Sequence, residues 1–283
     1  MKNISFLILL FIFSLSPFAQ HGDNSFGINR PVFIPVEKTI LYKLSDKIIP
    51  IKVVQYGEMK DIVYINLHAN ETTSVQAAGS ILETKGGTLI RIENNKQRVI
   101  RFRLKGFYYS FDPNRIFSRK GIEQTLRDNK RISKEAVEEI EKFAQRLLLI
   151  IPDTTSCIIA LHNNTEGAFS IKSYLPGSDR QSDARAVYQN TLQDIDDIAF
   201  TTDSLLYQKM ADYGYNSIWQ DNERAKKDGS LSILCGEIKR RYINIETQHG
   251  KVNQYIKMLE KLLEILDTEN KILPRGTPSG DLP

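Results

Sequence analysis

Three short runs in this chain each stop on a polar residue able to do chemistry, and this pattern constrains the fold more than any other feature. Ile62-Val63-Tyr64-Ile65-Asn66-Leu67 ends on His68, Ser156 to Leu161 ends on His162, and Tyr242 to Ile245 ends on Glu246. Ser156 to Leu161 is nearly all apolar, the mark of a strand buried on both faces. Between the runs lie segments of helical period. Thr72 to Leu82 places Val75, Ala78 and Leu82 near one face, and Ser133 is an N-cap for a helix reaching Leu149, with Val137, Ile140, Ala144, Leu147 and Leu148 as its buried stripe. A last helix is expected from Val252 to Leu266. Further strands are expected at Thr88 to Ile92, Arg98 to Leu104, Phe107 to Phe111, Ile198 to Thr201 and Tyr215 to Trp219. Alternating strands and helices predict an α/β fold, a single domain with a mixed, mainly parallel sheet flanked by helices.

Length and composition fit that reading. The 283 residues are enough for one full core, and 41% apolar with 25% charged residues is ordinary for a globular chain. A net charge of +4 without a dense basic block gives no case for nucleic acid as a partner. Residues 1–20 stand apart: a short basic start, an apolar stretch from Ile4 to Phe13, then small and polar residues to Gln20. This is the layout of a secretory signal peptide, and the apolar stretch falls short of the about 20 residues that span a bilayer. The expectation is a secreted or periplasmic protein with no stable membrane insertion once the signal is removed. Residues 21–47 are read as an N-terminal extended segment, 48–268 as the folded domain, and the Pro- and Gly-rich stretch 269–283 as a disordered tail. Cys157 and Cys235 each lie in an apolar run and read as buried free thiols, although a bridge is open to them.

In open α/β sheets, ligands bind at the carboxyl ends of strands, and the polar clusters fall there. His68 and Glu71, on a turn between a strand and a helix, can both point at one cation, and imidazole nitrogen with carboxylate oxygen suits zinc at about 2.0–2.2 Å. Alone, this H-x-x-E is equally a capping and turn segment. His162 can supply a third ligand, or be a satisfied strand-end histidine. Two histidines and one carboxylate leave a position open for water, which is the composition of a catalytic zinc site. Glu246, flanked by apolar residues, is costly unless paired or used; near a metal it can take and pass a proton, and otherwise it forms a salt bridge. Asn114 and Arg115 lie together in Asp112-Pro113-Asn114-Arg115-Ile116-Phe117 and can hold a carboxylate, unless Arg115 pairs with Asp112.

Taken in order, His68/Glu71, Asp112/Asn114/Arg115/Phe117, His162 and Glu246 resemble the zinc carboxypeptidase superfamily, especially its succinylglutamate desuccinylase and aspartoacylase branch. The resemblance spans roughly residues 60 to 250. It implies a zinc hydrolase-like catalytic domain over 48–268, with His68, Glu71 and His162 on Zn2+, Asn114 and Arg115 on a substrate carboxylate, and Glu246 as general base and acid. It further implies attack of an activated water on an amide carbonyl, with a nearby arginine stabilising the oxyanion; Arg101 and Arg103 are the candidates. Ala69 and Pro113 depart from the branch's usual residues, and the gating tyrosine has no clear counterpart, Tyr174 being a loose one. The implied substrate is a small peptide or acyl-amino acid with a free carboxylate, cell-wall peptides being natural for an exported enzyme. A short tail after Glu246 favours a single-domain peptidase or amidase. The alternative is a non-catalytic carboxylate- or peptide-binding protein on the same fold.

Overall fold

The structure is a computed structural model and describes residues 32–58, 60–165 and 169–272. The signal-peptide reading of residues 1–20, and the tail from 273 onward, lie outside the described residues. In chain order the elements are β1 (Pro35–Leu44), β2 (Lys47–Tyr56), β3 (Ile62–Asn66), α1 (Thr72–Lys85), β4 (Gly87–Ile92), β5 (Ile100–Leu104), β6 (Phe107–Phe111), α2 (Arg119–Asp128), α3 (Lys134–Leu148), β7 (Cys157–Asn164), β8 (Ala184–Tyr188), β9 (Ile198–Thr201), α4 (Ser204–Asp212), β10 (Asn216–Gln220), α5 (Leu231–Glu237), β11 (Arg241–Gln248) and α6 (Val252–Ile272).

Nine strands form one sheet in the order β1-β2-β4-β3-β7-β11-β9-β10-β8. The central four, β4, β3, β7 and β11, run parallel, while β1, β2 and β8 attach antiparallel at the edges. The expected mixed α/β sheet is therefore present, and β5 and β6 pair separately as a hairpin. The run readings hold for a simple reason. Every residue of β3 and of β7 is buried, so both faces of these strands had to be apolar over most of their length. Alternate residues feed two cores. Val63, Ile65, Ile158 and Ala160 pack with Val137, Ile140 and Phe143 of α3, and Tyr64, Ile159 and Leu161 pack with α1, α4 and α6. Cys157 and Cys235 are buried free thiols.

Several elements went unread in the sequence. β2 carries Pro50 within the strand, and α2 carries Gly121 near its start. That glycine is required: a Cβ there would stand 2.5 Å from the Cα of Gly229. The final helix continues to Ile272, past the 268 boundary. Among the described residues, no helix is long and apolar enough to cross a membrane.

One buried carboxylate, immediately before β9, opposes folding at neutral pH. Burial raises Asp197 from 3.8 to about 6, with Asp194 and Asp196 adding repulsion and Lys251 acting against them. A carboxyl raised in the folded state costs nothing below its unfolded value near 3.8, and its cost grows until pH passes about 6. Asp197→Asn should therefore stabilise the fold by about 1–2 kcal/mol at pH 7, less than the full shift because Lys251 and solvent screen it. Thermal melts should show the gain at pH 7 and its disappearance near pH 4; an equal gain at both would contradict the assignment.

Candidate metal centre and cavity

β3 and β7 lie side by side and parallel, with Ile65 opposite Ala160, so their carboxyl ends arrive together at one edge of the sheet. His68 follows β3, and His162 is the sixth residue of β7, 94 positions later in sequence. Glu71 sits at the N-cap position of α1, yet its side chain makes no capping bond. The Ser74 N–H that such a cap would satisfy donates instead to Asn163 Oδ1 at 3.0 Å. Asn163 thus frees the Glu71 carboxylate. Oε1 of Glu71 lies 2.9 Å from His68 Nδ1, and Oε2 lies 2.8 Å from His162 Nδ1. The two Nδ1 atoms are 3.2 Å apart, and all three residues are buried.

These three groups could hold a metal ion. The donor set fits zinc. Two imidazole nitrogens bound at about 2.0–2.1 Å around a tetrahedral centre stand about 3.3 Å apart, close to the separation seen. The second nitrogen of His68, Nε2, donates to Asp112 Oδ1 at 2.7 Å, which leaves Nδ1 as the ligating atom. The charges agree. Burial alone would raise Glu71, but His162 and His68 outweigh it and hold its carboxyl well below the usual range. Burial would likewise lower His68, but Glu71 and Asp112 outweigh it and raise the imidazole above its ordinary value. Asp112, which also accepts from Asn114 N–H and lies 3.4 Å from Arg98, is held low, burial being outweighed chiefly by His68. Removing this orienting acceptor should weaken zinc. Asp112→Asn is expected to cost about 10–100-fold in zinc affinity, measured by competition with a chromogenic chelator; unchanged affinity would show that His68 needs no anchor.

The group opens on a cavity of about 360 Å³ lined in part by Glu71, Arg98, Asn114, Arg115, His162 and Glu246. Glu246 is the direct register partner of His162 on the neighbouring parallel strand. Its carboxyl is raised, burial first, with His162 opposing and Glu71 adding to the rise. Asn244 donates Nδ2 to Glu246 Oε2 at 3.2 Å. Tyr255, from α6, ties the two strands: its hydroxyl donates to Ile245 O at 2.6 Å and accepts from His162 N at 3.1 Å. Asn114 is fixed by its oxygen, which accepts from Leu231 N at 3.0 Å, so its amide nitrogen is left to donate. Arg115 donates to Asn114 O at 2.7 Å and takes Asp228, 3.5 Å away, as its ion-pair partner in place of the expected Asp112.

The arginines need correcting. Arg101 and Arg103 flank buried Phe102 on β5, so strand alternation sends both to the exposed side, where they lie by the Tyr108 ring and line shallow depressions away from the cavity. The arginine at the metal-type group is Arg98, which precedes β5 and donates NH1 to Glu71 Oε1 at 2.7 Å. The period-two pattern around Phe102 was the available signal against Arg103. Tyr174 does line the cavity, buried against Phe169 and Phe200, with its phenol pushed up to about 12 by burial. His249 is exposed, and its backbone N–H bonds to Asn164 O. The loop 226–230 is fastened at the cavity wall: Phe117 N donates to Gly229 O at 2.9 Å and Lys226 N to Asp183 at 2.8 Å.

No family model matches the sequence, and no curated protein matches it. Several solved structures are similar. One is an aspartoacylase family protein from Mesorhizobium loti, at 14% identity and a TM-score of 0.41, over 82% of this chain and 67% of that one. Another is thrombin activatable fibrinolysis inhibitor, at 10% identity and a TM-score of 0.46, over 87% and 71%. A third is the murein-tripeptide amidase MpaA from Escherichia coli O157, at 9% identity and a TM-score of 0.41, over 88% and 96%.

Proposed function

We propose that the protein is a zinc-dependent hydrolase, acting outside the cytoplasm on an amide bond in a small peptide or acyl-amino acid that bears a free carboxylate. One observation carries this reading: His68 and His162 place their Nδ1 atoms on the two oxygens of a buried Glu71, at the wall of a cavity that Glu246 also lines. When bound, zinc at these residues supplies Lewis acidity toward water and toward a carbonyl oxygen. Glu246, raised by burial, takes the proton of the attacking water and returns it to the leaving nitrogen. Arg98 donates to the oxyanion as it forms. The free amide N–H of Asn114 and the guanidinium of Arg115 grip the substrate carboxylate and set its bond beside His162. The layout of residues 1–20 supports export, and an exported enzyme of this kind meets cell-wall peptides.

Elemental analysis of the purified protein tests the metal half of the reading, with about one zinc per chain expected. Release of amino acid from a panel of acyl-amino acids and short peptides, with and without chelator, tests the other. A wild type that folds without metal and binds carboxylates would instead support a binding protein. Recovery of the protein from the cytoplasm with residues 1–20 attached would refute export.

A further inference from the structure

The β5–β6 hairpin lies on the α3 side of the sheet, where Phe102, Tyr109 and Phe111 join the same core as α3. The register sets Arg101 opposite Ser110 and Arg103 opposite Tyr108, so these four share the outer face. The turn Lys105-Gly106 has both residues at positive φ, 50° and 87°, which closes a tight two-residue hairpin. Just after it stand Phe107, 51% exposed, and Tyr108, 55% exposed; Ile48, 50% exposed, shares a shallow depression with Tyr108. Single exposed apolar residues are ordinary, but three large ones set among cations are not. Arg101 holds its guanidinium 4.2 Å from the Tyr108 ring centre, and Arg131, three residues past α2, holds its own 4.6 Å from the Phe107 ring centre. Among the described residues, none of Arg101, Arg103, Lys130 and Arg131 forms an ion pair. Of the carboxylates at the margin, Glu135 pairs with Lys105 at 2.6 Å and Asp46 accepts from Arg103 N at 2.7 Å. The depression walled by Arg101, Lys130 and Arg131 has no carboxylate in its lining.

We infer that this face docks the protein on the surface of a bilayer rich in anionic phospholipid. Phe107 and Tyr108 enter at headgroup level, and Arg101, Arg103, Lys130 and Arg131 meet the lipid phosphates. A guanidinium stacked on a ring keeps its edge N–H groups free, and their fork matches phosphate oxygens. Aromatic rings and long cationic side chains are the groups that settle at a membrane–water interface, apolar body inward and charge outward. Other occupants fit less well. A second copy would bring the same four cations against these. A dissolved polyanion would pair with the cations but leave Phe107, which has no polar side-chain atom, largely in water; a bilayer interface removes it from water. The guanidiniums also cover a face of each ring on which a base would stack. Docking of this kind is peripheral and reversible and needs no spanning helix. It stands independently of the metal and hydrolase readings.

Co-sedimentation of the full chain with vesicles tests this. Binding to vesicles of equal parts phosphatidylglycerol and phosphatidylcholine should exceed binding to pure phosphatidylcholine by at least about tenfold, and should fall as salt is raised to about 0.5 M. Residues 1–20 are common to every arm, so any binding they supply appears on the neutral vesicles too. Arg101→Gln with Arg103→Gln should weaken the anionic binding by at least about tenfold, each cation near such a surface being worth about fivefold. Phe107→Ser should weaken it by about threefold or more. Lys209→Gln with Lys257→Gln removes the same charge from α4 and α6, which pack on the other core, and should leave binding within about twofold of wild type. All the substituted side chains are exposed, so the changes spare the core. Equal binding to neutral and anionic vesicles, or an equal loss in the α4–α6 control, would overturn the inference. So would wild-type binding by Phe107→Ser, the mark of electrostatic adsorption alone. Binding of long-chain polyphosphate without any binding of vesicles would assign the face to a dissolved polymer and overturn it as well.

Discussion

Glu246→Gln is expected to leave zinc bound and to lower kcat by about 10²–10⁴-fold, the range a positioned general acid–base supplies. Glu246 is not among the three grouped ligands, so the metal should not depend on it. Gln has the same length and still offers an oxygen to Asn244 Nδ2, so the local packing is kept. What it loses is the ability to take a proton, and burial had raised this carboxyl toward the range where a base at neutral pH works best. Zinc content and kcat measured on one preparation test the split. A variant that keeps zinc and full activity would remove Glu246 from the chemistry. One that loses zinc would make it a ligand.

His68→Ala should have the larger structural effect. The imidazole is fully buried and touches Glu71 on one side and Asp112 on the other. Its removal takes away one of the two nitrogen ligands and leaves two carboxylates facing a hole, with Arg98 and His162 as the remaining cations. Breaking a buried charged group in this way costs about 3–5 kcal/mol. The variant should hold no stoichiometric zinc, show no hydrolysis above background, and melt well below the metal-free wild type. Adding chelator should lower the melting point of the wild type and leave that of the variant unchanged. Zinc retained at one per chain in His68→Ala would refute the ligand assignment.

Local features were legible because burial and turn geometry write themselves into neighbouring residues. The capping role of Ser133 was readable from type and spacing, and it accepts from Ala136 N in the structure. β7 ran further than its apolar stretch suggested. Asn163 and Asn164 stay in the strand with their amides bonded to Thr247 O and Asp196 O, groups that lie far along the chain, and to Phe169 O five residues on. Short helices such as α4 and α5 carried too few periodic positions to stand out.

By itself the sequence determined the central strands, the placement of His68, Glu71, His162 and Glu246 at their ends, and the Asn114-Arg115 pair. These follow from alternation and composition over a few residues at a time. The tertiary structure alone decided that His162 meets His68, that Asp112 turns to His68 and away from Arg115, and that Arg98 and not Arg103 reaches Glu71. Each of those depends on which strands pair and in what register, and strand pairing joins residues tens of positions apart through hydrogen bonds that no local window of sequence contains.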